Sequence, residues 1–121
     1  MSLSNNAIPP FDGGTKIRLL HDSVGGHVKE IVQKFLDTLS ARMQRFSNAY
    51  ATHDLPTLYN EAHKLKGAAA TFGAVYMAHL CAQMEQQCKM NILPPVELLD
   101  ALETNAQFVT EAMTLAMENL E

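Results

Sequence analysis

From about residue 15 onward, apolar residues recur at steps of three and four, the spacing of a buried stripe along an α-helix. The longest stripe passes through Val28, Ile31, Val32, Phe35, Leu36, Leu39, Met43, Phe46 and Tyr50. A second joins Leu55, Leu58, Ala62, Leu65, Ala69 and Phe72, and a third Met77, Leu80, Cys81, Met84 and Cys88. The last takes in Val96, Leu99, Leu102, Ala106, Val109, Met113, Ala116 and Leu120. Ahead of these, the stretch from Thr15 to about Ser23 predicts a short helix with Ile17, Leu20 and Val24 turned inward, broken by Gly25-Gly26. No window alternates with period two, and no Asn-Gly or Asp-Gly turn joins two strand-like runs.

The punctuation between stripes agrees with helices. Thr52-His53-Asp54 ends the longest one, and Asp54 is a good N-cap for the next, with Pro56 tolerated in its first turn. Gly73 supplies a C-cap or a sharp bend, and Pro94-Pro95 open the last helix. Four amphipathic helices on short links bury their stripes most simply against one another. The predicted fold is therefore all-α, an antiparallel four-helix bundle with a short additional N-terminal helix, one domain over residues 15–120. Residues 1–14, which include Pro9-Pro10 and Gly13-Gly14, are predicted to be a flexible lead-in.

Composition narrows the function classes. Hydrophobic residues make up 47% of the 121 and charged residues 18%, which excludes an intrinsically disordered chain. No apolar run approaches the roughly 18 to 20 residues of a membrane span, and the first ten residues lack the regions of a signal peptide, so a cytoplasmic protein is expected. Cys81 and Cys88 on one helix stand roughly 10 Å apart along its axis, too far for a disulfide, and are expected to be reduced thiols on the core face. A net charge of −4 argues against general affinity for nucleic acid. All nine Lys and Arg lie between Lys16 and Lys89, and beyond them the chain carries acids and no base. That distribution leaves the surface around His63 locally basic.

His63 is the residue with chemistry to offer. At about 100° per residue it falls roughly 130° from the centre of its helix's apolar stripe and points to solvent or to a partner. Tyr59 at i−4, Gly67 at i+4 and Ala70 at i+7 share its face, with Lys66 at i+3 on the border. Lys64 at i+1 projects about 100° away, as a helper at the rim or a solvated cation. Tyr59 either closes the core edge or lies against a docked partner. A glycine in mid-helix costs about 1 kcal/mol relative to alanine, so Gly67 requires a reason, and the simplest is clearance for something large approaching His63.

A neutral imidazole is a competent nucleophile near physiological pH. Beside an ammonium group it is suited to accept a phosphoryl group, whose transfer asks the protein for positioning and electrostatic stabilisation. Other chemistries lack their residues. No glutamate has a histidine three positions on, as an inward di-metal site requires, and there is no H-E-x-x-H, phosphate-binding glycine loop, haem attachment pair or nucleophile elbow. His21, His27, His53 and His79 have no companion at metal-ligand spacing and read as solvated or capping residues.

Ala62-His63-Lys64-Leu65-Lys66-Gly67-Ala68-Ala69-Ala70, followed by Phe72-Gly73, Leu80-Cys81 and Met84-Glu85, resembles the signature of histidine-containing phosphotransfer (HPt) domains of multistep two-component signalling. The resemblance extends to helix order and lengths from Thr15 to Leu120. It implies that His63 is the phosphoacceptor, that Lys66 steadies the phosphate, and that Gly67 gives a receiver domain room to dock, with Tyr59, Lys64 and Ala70 around it. It also implies a monomeric phosphocarrier without a nucleotide site or cofactor of its own, relaying a phosphoryl group between receiver-domain aspartates. Its partners would be receiver domains of response regulators or hybrid histidine kinases, with any Mg²⁺ held by the receiver. Some members carry glutamine where Glu85 stands, and a carboxylate there would repel phosphate unless it points aside. Two rival readings have distinct signatures: a four-helix interaction module using the same face without phosphorylation, and an enzyme or cofactor carrier with a site in the bundle core.

Overall fold

The structure, a computed structural model, describes residues 14–120. Apart from Gly14, the expected lead-in lies outside the described residues. Helix α1 (Gly14–Val24) passes through a single 3₁₀ turn (Gly25–His27) into α2 (Val28–Ala51), followed by α3 (Leu55–Thr71), α4 (Val75–Lys89) and α5 (Val96–Glu118). The described residues form no strand. Short links make the long helices α2–α5 an antiparallel bundle with α1 as the short addition, and α3 packs most extensively against α4. None of the described helices is long and apolar enough to cross a membrane.

Three of the helices end in the same way. After α2, the His53 amide donates to Tyr50 O (3.1 Å) and the Asp54 amide to Ala49 O (2.8 Å). After α3, Gly73 donates to Ala70 O (3.2 Å) and Ala74 to Ala69 O (2.9 Å), and after α4, Asn91 donates to Cys88 O and Ile92 to Gln87 O, both at 2.9 Å. These paired bonds satisfy the last carbonyls and turn the chain through one left-handed residue, at φ 55° for His53, 79° for Gly73 and 61° for Asn91. Gly73 takes that conformation without the steric cost a side chain would bring. At the start of α3, Asp54 accepts from the Thr57 amide at 3.2 Å and from the Thr57 hydroxyl at 2.7 Å, the predicted cap. Pro95 is extended and precedes α5 instead of lying within it.

The predicted stripes form one core. Leu58, Ala62, Leu65 and Ala69 of α3 are fully buried, as are Met77, Leu80, Cys81 and Met84 of α4. Two stripe residues depart from expectation. Ile31 is 38% exposed and Val96 48% exposed. Both belong to the first turns of their helices, where Val28 and Val32 on α2, and Leu98 and Leu99 on α5, take the inward positions. The inward side of α3 fixes its rotation. Turning the helix by one residue would bring Leu58 and Leu65 into water, at about 1.5–3 kcal/mol each. The outward angle of His63 is thus enforced by leucines on the opposite side of the helix.

Candidate functional site

His63 stands on the exposed side of α3 with its side chain 62% exposed. Its Nδ1 lies 2.6 Å from Oε2 of Glu85, which reaches across from α4. The other oxygen of that carboxylate, Oε1, lies 2.5 Å from Nζ of Lys66, one turn along α3 from His63. One glutamate on α4 therefore holds two residues of α3 at once. Tyr59, half-buried against the core edge, stacks on the imidazole with ring planes 7° apart and centroids separated by 6.1 Å.

The charges reinforce this geometry. Burial alone would raise the Glu85 carboxyl, but hydrogen bonds from Lys66 and His63 outweigh it and hold the group below the usual carboxylate range. The hydrogen bond to Glu85 raises Lys66 in turn, against a smaller opposing effect of desolvation. An ionised carboxylate can only accept, so His63 Nδ1 carries the hydrogen. In the neutral ring Nε2 is then left with its lone pair. One turn of α4 before Glu85, burial and the nearby carboxylate push the Cys81 thiol up to about 12, so it remains protonated. Burial also raises Cys88, and both cysteines are free thiols.

Gly67 lies one turn beyond His63, and a methyl group built on it would meet nothing within 4 Å. Nothing inside the fold requires a glycine there. Ala70 is exposed at the next turn, and its carbonyl accepts from Lys16 Nζ of α1 at 3.2 Å. Lys64 is exposed and stands apart from the His63–Glu85–Lys66 cluster. The structure thus brings His63, Lys66 and Tyr59 together, leaves Gly67 and Ala70 open on the same side, and places Lys64 at the edge.

Sequence reasoning raised Glu85 only as a possible source of repulsion. Its carboxylate points aside, to Nδ1 and to Lys66. A second buried glutamate, Glu61, was not among the residues that apolar spacing singles out. It accepts from Arg42 Nη1 at 2.8 Å and Arg45 Nε at 3.0 Å, both from α2. A signal for it existed, because Glu61 stands three residues after Leu58 and four before Leu65, on the inward side of the helix. Elsewhere, His79 pairs with Gln83 at 3.0 Å and stacks near Tyr76, and no cluster of metal-binding side chains occurs among the described residues. A cleft of about 570 Å³ between α2 and α5, lined by residues including Leu39, Met43 and Thr110, includes none of the residues around His63.

No curated protein is significantly similar in sequence to this chain. Its fold is similar to the crystal structure of histidine-containing phosphotransfer protein B (HptB) from Pseudomonas aeruginosa PAO1, with a TM-score of 0.81 and 20% sequence identity over 93% of this chain and 95% of that one. That likeness speaks to the bundle. The sequence itself matches the Hpt domain model over residues 30–120, which takes in α3, α4, the imidazole and both of its charged companions. The chain belongs to the Hpt domain family.

Proposed function

We propose that this protein is a phosphocarrier that receives a phosphoryl group on His63 from the aspartyl phosphate of one receiver domain and passes it to the aspartate of another. The observation that carries this reading is the hydrogen bond from His63 Nδ1 to Glu85, which leaves Nε2 as the nucleophile of an exposed ring. Lys66, one turn away, supplies the positive charge for the equatorial oxygens. Gly67 and Ala70 are exposed one and two turns beyond the imidazole, and Tyr59 stacks on the ring. Lys64 contributes only to the charge of the rim. The protein acts as a carrier, with its chemistry completed by the receiver it meets, and the encounter is transient and modest in area.

Incubation with a receiver domain carrying labelled aspartyl phosphate tests the proposal. Label is expected on His63 in a bond that is labile in acid and stable in base, as for a phosphoramidate. His63→Gln should abolish uptake while leaving helix content and melting nearly unchanged, since an exposed side chain contributes little to the core. Label retained by that variant, or a bond that survives acid, would overturn the assignment.

A further inference from the structure

Lys66 is already committed before any phosphoryl group arrives. Its ammonium is held at 2.5 Å by Glu85 Oε1, while Oε2 of the same carboxylate takes the Nδ1 hydrogen of His63. The two ring nitrogens lie on different edges of the imidazole. A phosphoryl group on Nε2 therefore stands on the other edge of the ring from Glu85, and an ammonium drawn toward it weakens its hold on Oε1. Building on the phosphocarrier reading above, we propose that Glu85 is a positioning residue that competes with the phosphoryl group for Lys66, weakening the hold on the phosphorylated state and favouring onward transfer.

The transfer itself sets out what Glu85 can influence. The Nε2 lone pair attacks phosphorus, the N–P bond forms as the bond from phosphorus to the aspartyl oxygen breaks, and the aspartate leaves as a carboxylate. The hydrogen stays on Nδ1, so the ring becomes cationic and bears a dianionic phosphoryl group. The two negative charges of the acyl phosphate end as one on the aspartate and one net on the phosphorylated ring. The Glu85 carboxylate attracts that cationic ring at close range and repels the dianion from farther away. Both effects operate whether or not Lys66 is present. Competition for the ammonium operates only when it is present, so a double-mutant cycle isolates it.

The ratio of phosphohistidine to phosphoaspartate at equilibrium with one receiver domain is the readout, for wild type, Glu85→Gln, Lys66→Ala and the double variant. Dividing that ratio by the ratio of folded unphosphorylated protein to unphosphorylated receiver gives the transfer equilibrium constant, and thermal melts of the same samples supply the folded concentration. Glu85→Gln should shift the ratio toward phosphohistidine by about two- to fivefold more when Lys66 is present than when it is alanine, the size expected of an ion pair whose lysine is 40% exposed. Glu85→Asp, which keeps the charge but withdraws it by one methylene, should show the same dependence on Lys66. Equal shifts in both backgrounds, with normal wild-type uptake, would overturn the competition alone. Absence of label on the wild-type protein would remove the phosphocarrier reading and this inference with it.

Discussion

Glu61 and Glu85 are equally withdrawn from solvent, each 8% exposed, and each accepts hydrogen bonds from two basic side chains. The partners make the difference. Glu61 is gripped by two guanidinium groups of α2, which fit a carboxylate in a rigid planar fork. That cluster clamps α2 to α3 and leaves nothing to react. Glu85 is met by an imidazole and an ammonium group from α3. The imidazole keeps a second nitrogen directed elsewhere, and the ammonium sits at the end of a flexible, half-exposed chain. A buried carboxylate thus serves as mortar or as part of a reactive centre according to what its partners can still do.

The largest effect expected from this contrast is on stability. Glu61→Ala leaves Arg42, whose side chain is only 12% exposed, without its partner. The cost should be about 2–3 kcal/mol, or a melting point lower by roughly 10 °C, with phosphoryl transfer per folded molecule unchanged. A small stability change accompanied by slow transfer would reverse the roles assigned to the two glutamates.

Lys66→Ala should produce the complementary result. Transfer measured by rapid quench should slow about ten- to a hundredfold, while melting falls less than for Glu61→Ala because Glu85 keeps its hydrogen bond from His63. Lys64→Ala, one position away but pointing elsewhere, should have the smaller effect. The reverse order would mean that the outward side of α3 presents a different lysine to the reacting group.

Acid should weaken the Glu85 cluster in a direction that its charges fix. Because the Glu85 carboxyl is held below its ordinary range, its ionised form is favoured by folding. That contribution is complete above the unfolded-chain value and disappears as pH falls through the lower folded value. Lys66 is raised, so its share is complete below the ordinary lysine value and is lost only as pH rises through the folded one. Denaturant unfolding across acid pH should therefore show the wild type losing more stability than Glu85→Gln as the carboxyl protonates. Parallel curves for the two proteins would place the titrating group elsewhere.

The smallest effect concerns Gly67. Alanine there should stabilise the free domain by up to about 1 kcal/mol, since the added methyl meets open space. Gly67→Gln should melt at the same or a higher temperature yet transfer phosphate poorly and bind the receiver weakly. A lower melting point with normal transfer would make Gly67 a structural residue.

Most of the architecture could be read from apolar spacing because each helix buries a stripe that local sequence spells out. Asp54, Gly73 and the Gly25-Gly26 break could be read for the same reason, being local devices whose residues are their own signature. The rotation of His63 followed from Leu58, Ala62 and Leu65 in the same helix. What could not be read was the reach from α4 to α3. Glu85 lies 22 residues from His63, and its two contacts depend on how closely two helices pack and where they stop. The departures at Ile31 and Val96 have a related cause, since helical phase gives direction but does not say whether a neighbour stands opposite a first turn.

The two thiols on α4 give that helix a built-in chemical clock. Cys81 is fully covered and its thiol is held protonated, while Cys88, 8% exposed, lies next to the helix end at Lys89. Neither presents a thiolate to an alkylating reagent in the closed fold, because reaction requires the ionised sulfur and access to it. Cys88 should react when the last turn frays, and Cys81 only when the core between α3 and α4 parts. The ratio of their alkylation rates, each taken relative to the unfolded chain, then measures how much tighter the middle of α4 is held than its end, at the level of the helix from which Glu85 projects.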